Sequence, residues 1–243
     1  LLTGGVVRIS KQENSTTTIY LENMKKIALV LAVALSSAAS FAQINKGELK
    51  QLQNFLSQPA KEAATNAEAL RITNIKDPST WEGVTVTGNR VTKIDWKDKK
   101  LAGTLDLSGF TALTSVDVSR NALTAVTVKG DAALNELNAS RNKLTEINLE
   151  GATSLVKLSI NNNRLTEFTL EGTPIIKSIN VASNLLASLD LNASPTLETL
   201  NCQSNHLENL SVANCTALKN LYCGYNKLTN LDLVGVVKLP VSY

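Results

Sequence analysis

The sequence predicts a solenoid of the α/β type: a right-handed coil of short parallel strands along one face and extended or 3₁₀ backbone along the other, entered through a small helical cap. Three observations carry this. An apolar position returns every 21 residues at Leu113, Leu134, Leu155, Ile176, Leu197, Leu218 and Leu239. An asparagine returns at the same interval, at Asn121, Asn142, Asn163, Asn184, Asn205 and Asn226. Between them the apolar residues alternate with polar ones, as a half-buried strand requires. A strict period of this length means stacked coils that share one core.

The strand of each coil is read from its inward pair: Val116/Val118, Leu137/Ala139, Leu158/Ile160, Ile179/Val181, Leu200/Cys202 and Leu221/Cys223. A strand this short is unstable alone, but stacked at roughly 4.8 Å per coil several make a parallel sheet with one wet face. A second apolar trio closes each coil from the other side, from Leu123/Val126/Val128 to Leu228/Leu231/Leu233. Twenty-one residues per turn leave no room for a long helix, so the convex side is expected to be extended or 3₁₀. The asparagine stands where the strand ends and the chain bends. Its amide carries donors and an acceptor, so the six are read as a structural ladder that satisfies the bend's backbone groups and bridges coils.

The spacing Leu-x-x-Leu-x-Val-x-x-Asn-x-Leu resembles the leucine-rich repeat, and the short coil is similar to that of bacterial internalin-like secreted and surface proteins. The resemblance covers residues 91–239. It departs from the usual internalin unit in its shorter period and in Cys202 and Cys223 at the sixth position. It implies the leucine-rich-repeat fold and a role in binding.

Ahead of the coils, Met24-Lys25-Lys26, an apolar run Ile27–Leu35 and a small-residue stretch to Ala42 read as a signal peptide over 24–42, cleaved after Ala42. The apolar run is short for a membrane span. The 23 residues before Met24 show no periodicity and read as a non-native leader, an over-extended gene start. Residues 43–90 form the expected cap. Glu48-Leu49-x-x-Leu52-x-x-Phe55-Leu56 has helical spacing, and Pro59 is expected to begin an alanine-rich second helix reaching about Leu70. Asp77-Pro78-Ser79 reads as a turn. Trp81–Val86 and Arg90–Trp96 read as strands around Gly88-Asn89. Leu101-x-x-x-Leu105 reads as an irregular lead-in coil one residue longer than the rest. At the other end Pro240 and Ser242 break the register, so residues 240–243 read as a truncated end, with the natural chain expected to continue beyond Tyr243.

Composition narrows the function. From residue 43 on, 20 Lys plus Arg face 19 Asp plus Glu. That near-neutral balance excludes binding nucleic acid through a dense basic surface. Four Phe, four Tyr and two Trp in 243 residues leave room for an aromatic platform only locally. His206 is the one histidine and follows the ladder on an exposed position, with no nucleophile or orienting partner to name. No catalytic residue is assigned. Asp117 and Glu136 are the nearest candidate carboxylate pair and read as a solvated surface pair. Cys202 and Cys223 share an inward column and are read as small core residues rather than a disulfide. Cys215 is placed on a turn. CxxC spacing is missing, so neither a metal site nor a cofactor is called.

What the inward columns leave over is the outward face of the sheet. One column holds Ser115, Glu136, Lys157, Ser178, Thr199 and Asn220, and the next holds Asp117, Asn138, Ser159, Asn180, Asn201 and Tyr222. A third runs Ser119, Ser140, Asn161, Ala182, Gln203 and Gly224, beside Arg120, Arg141, Asn162, Ser183, Ser204 and Tyr225. The binding residues expected from this face are Asp117, Glu136, Asn138, Arg141, Lys157, Asn180, Asn201, Tyr222 and Tyr225. The tyrosine pair leads because tyrosine is enriched where surfaces recognise partners. Two functions follow. The first is a non-catalytic secreted or cell-surface module that binds a protein or adheres through its concave face. The alternative is a spacer or carbohydrate-binding part of a longer exported protein whose activity lies beyond residue 243. No transmembrane span is expected in the mature chain.

Overall fold

The computed structural model describes residues 44–76, 81–191 and 194–236. The leader, the signal peptide, the turn at 77–79 and the broken end at 240–243 lie outside the described residues.

Helix α1 (Lys46–Leu56) opens the described chain. Asn45 caps it by accepting from the N–H groups of Gly47 and Glu48, which satisfies donors that a helix start leaves open. Its Leu52, Phe55 and Leu56 are buried, and the Phe55 ring stacks on Trp96 with centroids 5.6 Å apart. The second helix is only Asn66–Ala69 (α2), not a run from Pro59. Thr65 starts it by accepting from the Glu68 N–H. The alanine-rich stretch before it is mostly exposed, and propensity alone does not hold a helix that short in water.

Strands β1 (Val84–Thr87) and β2 (Arg90–Asp95) form an antiparallel hairpin. From β2 the main sheet runs parallel and in register through β4 (Ser115–Asp117), β6 (Glu136–Asn138), β8 (Lys157–Ser159), β9 (Ser178–Asn180), β10 (Thr199–Asn201) and β12 (Asn220–Tyr222). The inward columns are solvent-free from Val116 to Leu200. One expected outward residue differs: Ser119 is buried, because its N–H is drawn onto the Asp117 carboxylate at the strand end.

The other side of the coil is also extended, and it pairs in two blocks. β3 (Ala102–Asp106), β5 (Ala122–Thr127) and β7 (Glu146–Asn148) make a three-stranded sheet, and β11 (Asn209–Ser211) pairs β13 (Asn230–Asp232). Residues 165–170 and 186–191, between the blocks, join neither sheet. Coils held together on one side and unpaired on the other fan apart on the second, which makes the continuous eight-stranded face the concave one. Surface clefts of about 400 Å³ at Ile147 and Phe168 and about 280 Å³ at Leu189 and Asn209 mark the gaps.

The lead-in coil is one residue longer than the rest: on the main sheet Ile94 pairs with Val116, 22 residues on, where every later strand pairs at 21. On the second side the register shifts. Ala102 and Gly103 pair 20 residues ahead, with Ala122 and Leu123, whereas Thr104 pairs 21 ahead, with Ala125. The unmatched residue is Thr124, in the following coil. The exposed edge of β3 is closed by side-chain amides that act as a substitute strand. Gln58 bonds the N–H and C=O of Thr104, and Asn66 bonds those of Ala102. Gly103 is needed there because a Cβ would sit 2.0 Å from the Gln58 amide oxygen.

Candidate binding face

The face is positioned by the asparagine ladder. Each ladder amide donates to the carbonyl three residues back and to a carbonyl of the preceding coil, while its oxygen accepts an N–H of that coil. Asn184 is typical: its Nδ2 reaches the Ile160 and Val181 oxygens, both at 3.0 Å, and its Oδ1 takes the Leu165 N–H at 3.1 Å. Asn121, Asn142, Asn163, Asn205 and Asn226 repeat the arrangement. These groups lie beneath the surface and are used up by backbone.

The bend that delivers each ladder residue forces its predecessor into the left-handed region. Arg120, Arg141, Asn162, Ser183, Ser204 and Tyr225 all have φ between 55° and 59°. Among them only Asn162 is a type at ease there. The side chains on this column are all exposed, so the turn holds an outward row in one backbone geometry.

The second outward column turns out to serve structure as well. The side-chain oxygens of Asp117, Asn138, Asn180 and Asn201 each accept the N–H two residues on, closing the strand end as an Asx turn. Asn138 also donates to Asp117 at 3.1 Å. In the next coil Tyr222 takes this position and forgoes the turn. The amide nitrogens of Asn180 and Asn201 donate no hydrogen bond among the described residues. In the first column Glu136 and Lys157 pair at 2.7 Å across β6 and β8. The guanidinium of Arg141 has no ion pair among the described residues. The carboxylates of Asp117 and Glu136 are thus each engaged, by an amide and by an ammonium, rather than facing each other as an acid–base couple.

The two tyrosines stand at one end of the face, Tyr222 at 49% and Tyr225 at 85% exposure. Gly224 lies between them. It has an ordinary backbone angle, and a Cβ there would only touch Gln203 at 3.6 Å. Nothing in the fold requires glycine at this place, so its effect is to bare the floor between two rings. Leucine spacing could not reveal this; only the glycine's environment does.

Charge divides the face. Asp117, Arg120, Glu136, Arg141 and Lys157 lie on the coils of β4, β6 and β8, whereas the four columns across β9, β10 and β12 carry no Asp, Glu, Lys, Arg or His. A rim of Lys177, Glu198 and Lys219 flanks the neutral part, with Glu198 held below the usual carboxylate range by Lys219 and then Lys177.

Elsewhere, chemistry-bearing groups are unassembled. His206 is exposed, with no side-chain hydrogen bond or ion pair among the described residues. The three cysteines are free thiols. Burial pushes Cys202 up to about 12, with Cys223 adding to it, and Cys215 up to about 11. Cys215, on its turn, is a fully buried free thiol because the residue points into the stack. Among the described residues no helix is long and apolar enough to cross a membrane, and no three His, Cys, Asp or Glu converge as for a metal ion.

No protein-family model matches the chain, and no curated protein matches it in sequence. Solved structures do. The functional domain of InlJ from Listeria monocytogenes, described as including a cysteine ladder, is 21% identical, with a TM-score of 0.41, over 64% of this chain and 39% of that one. YopM from Yersinia enterocolitica is 24% identical, with a TM-score of 0.31, over 53% and 37%. The BIR2 ectodomain of Arabidopsis thaliana is 18% identical, with a TM-score of 0.46, over 78% and 95%. The chain therefore spans less than half the length of the first two structures. Its own coils, strand register and asparagine ladder are those of a leucine-rich-repeat solenoid.

Proposed function

We propose that this chain is a non-catalytic interaction module, exported by the segment at 24–42 and secreted or held at a cell surface, that binds a protein through its concave face. One observation carries the reading. The inward columns repeat nearly the same residue in every coil, while the outward columns change at each coil, from Asp117 through Asn138, Ser159, Asn180 and Asn201 to Tyr222. Stacking dictates the first set, whereas the second is held only by the strand-end turns of Asp117, Asn138, Asn180 and Asn201 and varies from coil to coil, so the outward set is where recognition is written. The polar pairs around Asp117, Glu136, Asn138, Arg141 and Lys157 supply orientation, and Tyr222 and Tyr225 supply contact area.

A second reading, carbohydrate binding, is favoured by the neutral half. Two exposed rings around bare Gly224, with the amides of Asn201 and Gln203 beside them, offer stacking and hydrogen bonds without charge. Protein and glycan arrays probed with the full chain and with a Tyr222→Ala/Tyr225→Ala variant test both. Protein spots lost at least tenfold in the variant support the first reading, and loss confined to glycan spots replaces it with the second. Retention unchanged by the variant and by Asp117→Ala/Glu136→Ala overturns the assignment of this face. Export is checked separately by the N-terminus of the chain recovered outside the cell, which is expected to be Gln43.

A further inference from the structure

One buried acid has no place in the ladder, the face or the cap. Asp131 belongs to the column Phe110, Asp131, Ala152, Thr173, Ser194 and Cys215, where each coil turns inward beneath the second side. All six are buried, and each N–H bonds to the carbonyl three residues back. The column takes apolar side chains, a thiol or hydroxyls. Thr173 shows how a polar group fits: its Oγ1 donates to the Leu170 carbonyl at 2.7 Å. The matching acceptor for Asp131 is the Val128 carbonyl, which already takes the Asp131 N–H at 3.1 Å. A carboxylate has nothing to donate there. Among the described residues neither Oδ1 nor Oδ2 of Asp131 has a partner at hydrogen-bond geometry; the Phe110 and Gly109 N–H groups lie near it but donate to the Leu107 and Lys129 carbonyls.

Among the described residues no cation compensates. Arg90 is committed to the buried Glu48, Nε to Oε1 at 2.6 Å, and its remaining reach ends on the Gly109 carbonyl. The other oxygen of Glu48 holds the Val91 N–H. Lys129 is paired with Glu150 at 2.8 Å on the surface. Asp106 adds a second negative charge from the end of β3. An ionised Asp131 would be a charge taken out of water among acids, which is costly, whereas the neutral acid can donate as Thr173 does.

We propose that Asp131 is a protonation switch at the junction between the cap and the first coils: the neutral acid holds the turn closed, and ionisation loosens it. Burial pushes its carboxyl up to about 7, partly offset by the Phe110 and Gly109 N–H groups and reinforced by Glu48 and Asp106. In the unfolded chain it ionises near the ordinary value of about 3.9. The folded state therefore binds the proton more tightly. Its stabilisation is full below about pH 4 and is lost as pH rises to about 7. The switch lies in the coil between Asp117 and Glu136, next to the cap residue Glu48 and the β3 end at Asp106. It does not rest on what the concave face binds.

The test is urea unfolding of the full chain, wild type against Asp131→Thr and Asp131→Asn, from pH 4.5 to 9. The ratio of wild-type to Asp131→Thr unfolding constants is expected to rise about tenfold per pH unit up to about pH 7 and then level. A ratio independent of pH overturns the proposal. Carbon-13 NMR of the wild-type Asp131 carboxyl needs no variant to fold: a midpoint near neutrality supports the switch, and one near the ordinary carboxylate value sinks it.

Discussion

The two halves of the concave face share one scaffold and carry different chemistry. Under β4, β6 and β8 and under β9 and β10 the same inward columns are solvent-free, under β12 Leu221 and Cys223 are half-buried, and the same asparagine bonds join each coil to the one before. Above them, the first half displays Asp117, Glu136, Arg141 and Lys157, and the second displays amides, hydroxyls and two tyrosines. As far as β10 the support is the same, so the difference in charge up to that coil does not come from folding. A half-exposed parallel sheet is a uniform mount on which each coil's outward residues are set independently.

The strongest way to break that comparison is at the shared core. Leu158→Ala in the charged half and Leu200→Ala in the neutral half remove matching buried side chains, and each is expected to cost about 2–5 kcal/mol in urea unfolding. A large inequality between them would show that the halves are not equivalently supported. Next comes the ladder. Asn163→Ala and Asn205→Ala each orphan backbone groups of two coils, for about 1–3 kcal/mol, read as matching falls in Tm.

Substitutions on the face itself should separate the halves. Tyr225 pays for its left-handed backbone, so Tyr225→Asn is expected to raise stability by about 0.5–1 kcal/mol while weakening binding. A variant that gains stability and loses nothing in retention would remove Tyr225 from the site. Glu136→Gln breaks an exposed pair with Lys157 and should change stability by less than about 1 kcal/mol; its effect, if the charged half binds, appears in the salt dependence of binding. The smallest expected signal is chemical. At pH 8 the thiols of Cys202 and Cys215, raised by burial to about 12 and about 11, should resist alkylation until the chain unfolds, with half-buried Cys223 labelled first. Labelling of all three at one rate in the native chain would place that end of the stack in partial unfolding.

The repeating part of the molecule was legible because its signal is local and recurs. Leu-x-x-Leu-x-Val gives the strand, Asn gives the bend, and a period of 21 gives the neighbour, so each inward residue is specified several times over. The outward columns were legible as positions and only partly as roles. Asn138, Asn180 and Asn201 were expected as binding residues, yet each spends its oxygen on a turn, a bond that depends on a backbone N–H two residues away pointing back. Ser119 was misplaced for a related reason: its polarity suggests exposure, but its N–H is drawn onto the neighbouring Asp117 carboxylate and it is buried.

The sequence by itself determined the coil, its register, the core columns and the ladder, since all of these follow from periodic spacing. Tertiary structure alone decided that the second side of the coil pairs in two blocks and leaves residues 165–170 and 186–191 outside both. It also decided that Gln58 and Asn66 would seal the edge of β3, that Glu48 would meet Arg90, and that Asp131 would be enclosed without a partner. Those contacts join segments far apart in the chain and occur once each. A unique pairing leaves no period to read, and whether a carboxylate is stranded or satisfied depends on the few atoms that surround it.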